Sequence, residues 1–151
     1  MSDPDHLHIL WTNADPVVAE KMVFMYAGNA LGRGWWQRVT VIIWGSTASL
    51  VAQNEAIRVQ VQQLQDSGVH FSACRACAEQ LGVAAELEDM GIEVIYWGEP
   101  LTQLLRERAV LLVVKMGMTV RAISPSSAST ILRIACGSVI SRLTPPMRFI
   151  E

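Results

Sequence analysis

Charge is scarce in this chain. Only 17% of its 151 residues are Asp, Glu, Lys or Arg, against 51% that are hydrophobic. That balance excludes intrinsic disorder and a coiled coil for the bulk of the sequence. There is no excess of basic residues either: a net charge of −2 and an isoelectric point near 5.9 leave no electrostatic footprint for nucleic acid. Three cysteines are too few for a disulfide framework and suit a reducing compartment. The longest uncharged stretches are broken by Gly, Ser, Thr, Asn and Gln, so no apolar run is long enough to cross a bilayer. The opening Met1-Ser2-Asp3-Pro4-Asp5 is acidic where a targeting signal would be basic. The expectation is a cytoplasmic protein with one core, engaging neither nucleic acid nor membrane.

What charge there is divides unevenly. Residues 1–114 carry 7 Lys+Arg against 13 Asp+Glu, a balance of −6, whereas residues 115–151 carry 5 against 1, a balance of +4. The second part is also rich in Ser and Thr, with nine among 37 residues. The break predicts an α/β domain over 1–114 and an atypical basic tail over 115–151.

Within the first part, strand-like and helix-like runs alternate. Leu7–Thr12, Val39–Trp44, Val69–Ala73, Ile92–Trp97 and Ala109–Val114 read as strands, several of them β-branched and nearly all apolar. Between them, Asp15-Pro16 opens a helix that Gly32-Arg33-Gly34 closes, with Val17, Lys21, Phe24, Gly28 and Leu31 on one stripe. Ala48–Ala52, Glu55–Asp66, Cys74–Leu81, Glu86–Met90 and Pro100–Arg106 read as further helices. Five apolar strands alternating with helices predict a single three-layer domain around a mainly parallel five-stranded sheet. In such sheets the working rim lies beyond the carboxyl ends of the strands. That rim gathers Thr12, Asn13, Trp44, Gly45, Cys74, Arg75, Trp97 and Gly98.

The sharpest chemical signal on it is Cys74-Arg75-Ala76-Cys77, at a strand-to-helix junction. A cysteine there faces unpaired amides and the positive end of a helix, and Arg75 adds a cation; such settings favour thiolate. Cys77 follows one turn later, within disulfide reach. The pair is compatible with a nucleophile, with a dithiol couple, or with two buried small hydrophobes. Zinc needs a second close pair that is missing, Cys136 being far off in the tail.

Other candidates carry less. His6 and His8 share a strand face but lack a third ligand, and His70 reads as structural. Gly28–Gly34 is not a dinucleotide loop, because it ends a helix where such a loop would begin one. Met22 and Met25 read as core, and Trp11, Trp44 and Trp97 as rim aromatics that wall a pocket or meet a neighbouring subunit.

Several segments in order resemble the DsrE/DsrF/TusD-like proteins: the Trp11-Thr12 strand end, Asp15-Pro16, Met22–Tyr26, Trp44-Gly45, Gly68–Val83 around the cysteines, and Gly91–Val94 leading to Gly98-Glu99-Pro100-Leu101. The resemblance covers about residues 6–114. It implies a homotrimer or homohexamer in which one cysteine accepts sulfane sulfur as a persulfide and passes it between donor and acceptor proteins. The matching position is Cys74; Cys77 is an extra cysteine found in some relatives. No metal or organic cofactor is required. Two alternatives stand beside this sulfurtransferase reading: a non-catalytic oligomeric module binding a small ligand or a protein, and a Cys74/Cys77 redox dithiol. The tail lies outside the resemblance and reads either as an accessory segment or as a read-through or frame-shifted terminus, with Ile131–Leu143 as a possible basic helix.

Overall fold

The computed structural model describes residues 3–115 and 121–123. Strands β1 (His6–Trp11), β2 (Arg38–Ile43), β3 (His70–Cys74), β4 (Glu93–Ile95) and β5 (Leu111–Val114) form an all-parallel sheet in the order β4-β3-β2-β1-β5. A short β6 (Arg121–Ile123) pairs antiparallel with β5 at the edge. Helices cover both faces, so the domain has three layers. The sheet therefore continues into the segment that its charge marks off as a tail, while the possible helix over 131–143 lies outside the described residues.

The strand order fixes which helix lies where. From β1 to β4 each connection steps the same way, and right-handed crossovers then put all the intervening helices on one face. The return from β4 to β5 runs the opposite way and puts its helix on the other face. Side-chain alternation agrees. Leu7, Ile9, Trp11, Val39, Val41, Ile43, Phe71, Ala73 and Val94 join the main core under the first set of helices. Ile42, Cys74 and Leu111 point the other way, into a smaller cluster with Leu101 and Leu104.

The first helix is one rod in three parts: α1 (Pro16–Val18), a π-helical stretch (Ala19–Phe24) and α2 (Met25–Gly32). Asp15 starts it as expected, its carboxylate accepting from the Val17 and Val18 amides at 2.7 and 3.3 Å. The buried stripe differs from the one read off ideal periodicity. Ala19, Val23, Phe24, Ala27 and Ala30 face the sheet, whereas Val17 is 64% exposed and Met25, expected in the core, is 52% exposed. The wide π turn breaks the 3.6-residue phase, and a row of alanines lets the rod approach the sheet closely.

α3 (Thr47–Gln53) and α4 (Glu55–Asp66) bury Val51, Ile57 and Val61, and Asn54 between them caps α4 through the Ile57 amide. α5 (Arg75–Gln80) follows β3 without a loop, and α6 (Ala84–Asp89) buries Leu87. Among the described residues α7 (Gly98–Arg106) is the one helix of the second face, and none of its residues is fully buried. β4 is only three residues long, so Trp97, expected to finish that strand, instead caps α7.

Candidate functional site

β3 delivers Cys74 to the carboxyl edge of the sheet. His70, Ser72 and Cys74 alternate onto the second face, and the chain turns into α5 at Cys74 itself, whose backbone is still extended (φ −70°, ψ 113°). Cys74 packs against Ile42, Trp97 and Leu111, with Trp44 and Cys77 at the margin of the same cluster, and is only 4% exposed. Cys77, one turn along α5, is half-buried, and both thiols are free. Cys74 and the Gly45 backbone are the neighbours that act on the Cys77 sulfur. Burial pushes the Cys77 thiol up, Gly45 opposes this, and the neighbouring Cys74 reinforces it.

The Gly45 amide is held by a turn that requires glycine. Gly45 has φ +73°, a region where a Cβ is strained. Thr47 clamps the turn from inside: its fully buried hydroxyl accepts from the Trp44 amide at 3.1 Å and lies 3.1 and 3.0 Å from the Trp11 and Trp44 carbonyls. On the other side, Trp97 lies beside Cys74 and donates its indole N–H to the buried Ser72 hydroxyl at 2.8 Å. Ser72 and Thr47 escape a reading based on reactive residue types. Their only sequence signal is position: a lone hydroxyl inside an apolar strand, and the Thr of Gly45-Ser46-Thr47 after one.

The rim residues named from sequence do not all converge. Trp44, Gly45, Cys74, Cys77 and Trp97 come together. Thr12 and Asn13 lie at the end of β1 and serve the backbone there: Thr12 Oγ1 donates to the Val114 carbonyl at 3.0 Å, and Asn13 Oδ1 accepts from the Asp15 amide at 3.0 Å. Trp11 faces the main core, edge-on to Phe24, with its indole N–H on the Asn13 carbonyl. Gly98 begins α7. Arg75 points away from the thiols, to Glu88 at 2.9 Å, the Val94 carbonyl at 2.8 Å and Glu79 at 3.7 Å. Nor does the Cys74 side chain bond the first-turn amides of α5, which has only six residues. A cleft of about 580 Å³ opens elsewhere on the rim, between Ala14 and the Ser46, Ser49 and Gln53 side of α3.

At the opposite, amino end of the strands the His6 and His8 rings lie 3.9 Å apart, tilted by 35°, with His6 Nε2 bonded to Thr40 Oγ1 at 2.8 Å. Among the described residues no group of three or more His, Cys, Asp or Glu is arranged to hold a metal ion. No helix among them is long and apolar enough to cross a membrane.

No family model and no curated protein matches the chain. Among solved structures it is similar to a conserved protein of unknown function from Bacteroides thetaiotaomicron. The two are 37% identical with a TM-score of 0.73, over 76% of this chain and 98% of that one. Identity at that level over nearly the whole of the other protein makes this chain a member of the same family as that conserved Bacteroides protein.

Proposed function

We propose that the chain is a sulfur carrier of the DsrE type, a sulfurtransferase that accepts sulfane sulfur as a persulfide on Cys74. The supporting observation is the thiol pair: Cys74 and Cys77, both free, gathered in one apolar cluster with Trp44 and Trp97 beside them. A donor persulfide R–S–SH and the Cys74 thiol become R–SH and Cys74–S–SH, with one S–S bond broken and one formed. An acceptor thiol later reverses the exchange. Neither metal nor organic cofactor enters this chemistry. Donor and acceptor are partner proteins in the cytoplasm. The carrier itself is a homotrimer or homohexamer, a reading supported by the thin cover on the second face, where Leu105 of α7 remains exposed.

The thiol pair also favours a second reading, a redox dithiol that cycles between Cys74/Cys77 thiols and their disulfide. Intact mass separates the two. Incubation with a persulfide donor, followed by removal of the donor, leaves a stable gain of one sulfur (~32 Da) on the carrier. A reductant reverses it, and Cys74→Ser abolishes it. No stable adduct under conditions that load a control thiol sinks the carrier reading. A loss of two hydrogens in place of a gain establishes the dithiol.

A further inference from the structure

The proposed carrier sulfur is the less accessible of the two. Cys74 is enclosed by Ile42, Leu111 and Trp97, while Cys77 lies half-buried at the margin of that cluster. A bulky protein persulfide cannot bring its outer sulfur in line with Cys74 without displacing Trp97, whose indole is fixed to Ser72. Cys77 needs no such displacement, and it lies one turn of α5 beyond Cys74, packed on the same cluster.

Resting on the carrier reading above, we propose that Cys77 is the port through which sulfane sulfur passes to and from Cys74. In the first step the Cys77 sulfur attacks the outer sulfur of R–S–SH. The donor S–S bond breaks, RS⁻ departs, and the Cys77 proton passes to the departing thiolate, giving Cys77–S–SH and RSH. In the second, the Cys74 thiol gives its proton to the Cys77 inner sulfur as it attacks the outer sulfur of that persulfide. The Cys77 S–S bond breaks, Cys74–S–SH forms and the Cys77 thiol is restored. The net change is R–S–SH plus Cys74–SH to R–SH plus Cys74–S–SH, with no external oxidant or reductant. Placement of the two cysteines one turn apart in one cluster makes the second step intramolecular, and the apolar enclosure then keeps water and stray thiols from the stored persulfide.

Hence the two cysteines divide the work: Cys77 governs how fast sulfur enters, and Cys74 governs how long it stays. The test is time-resolved intact mass with a protein persulfide donor on the full chain, for wild type, Cys77→Ser, Cys77→Ala and Cys74→Ser, each checked for native circular dichroism. Both Cys77 variants should load at least about tenfold more slowly than wild type, the loss expected when an intramolecular step is removed. Cys74→Ser should gain sulfur on Cys77 while donor is present and lose it to the small thiol with which the donor is washed away, while wild type keeps it. Folded Cys77 variants that load at the wild-type rate overturn the port while leaving the carrier intact. A wild type that never gains sulfur overturns the carrier reading instead. A Cys74–Cys77 disulfide appearing in step with loading also overturns the port, because Cys74 would then have attacked the inner sulfur.

Discussion

Acid should destabilise this fold through the two histidines at the amino end of β1. His6 is held down from 6.5 to about 4, first by burial and then by the neighbouring charges of His8 and Arg38, with His70 adding to them and Asp3 opposing. His8 is lowered too, chiefly by burial, and its Nδ1 has no hydrogen-bond partner. Both rings are therefore neutral in the folded state, whereas in the unfolded chain they titrate near 6.5. Above 6.5 neither state takes a proton, and the histidines do not change stability with pH. Below it the unfolded chain binds protons that the native state refuses, so stability falls until pH nears 4. At about 1.36 kcal/mol per pH unit, the His6 shift alone sets a ceiling of roughly 3.4 kcal/mol. His6 is partly exposed, and solvent screening brings its share down to the order of 1–2 kcal/mol. With a urea m-value of roughly 2 kcal/mol/M, His6 should lower the urea midpoint by about 0.5–1 M between pH 7 and 4.5. Carboxylates also contribute to acid lability, so the decisive comparison is with His6→Asn/His8→Asn. That variant should show a visibly shallower pH slope by circular dichroism. Identical slopes for wild type and variant would refute the assignment of this lability to the pair.

Three further outcomes follow from particular contacts. Ser72→Ala leaves the Trp97 indole N–H buried without an acceptor and should cost about 1–3 kcal/mol; faster alkylation of Cys74 would show that the cover has loosened as well. Gly45→Ala forces a Cβ into positive φ and should cost about 1–2 kcal/mol by thermal denaturation, with a slowed rate of sulfur loading if the Gly45 amide serves Cys77. Asp15→Ala removes the cap of the first helix at about 1 kcal/mol in urea titration, while Asp15→Asn should recover most of it.

Much of the fold is legible in the sequence because its strands are short, apolar and bounded by glycine or polar turns. Val39–Trp44 and the helix over 55–66 are found almost residue for residue. The miss in the first helix has a local cause: six residues of π-helix shift its phase, so ideal spacing names Val17 and Met25 where Ala19, Val23 and Ala27 do the packing. β6 stayed hidden because three residues in a segment of altered composition carry no periodic signal. At the site, residue types point to Cys74, Cys77, Trp44, Gly45 and Trp97, but not to which way a side chain turns. Arg75 beside a cysteine in sequence reads as its cation. In the fold Glu88 of α6 and the Val94 carbonyl of β4, together with Glu79 one turn along α5, claim the guanidinium, and the first two are visible only once those elements are packed.

The strand order has a consequence for the nascent chain. β1 is made first and ends near the middle of the sheet, with β2 on one side and β5 on the other. β2, β3 and β4 can add outward one after another as they leave the ribosome, each beside a strand already present. The other edge of β1 must wait for Leu111–Val114, about a hundred residues later. Until then Leu7, Ile9 and Trp11 border an open, apolar strand edge, of the kind that pairs with another copy of itself. Ribosomes stalled before residue 111 should thus hold chains that are nearly folded yet prone to self-association, and β5 removes the edge that β1 left open.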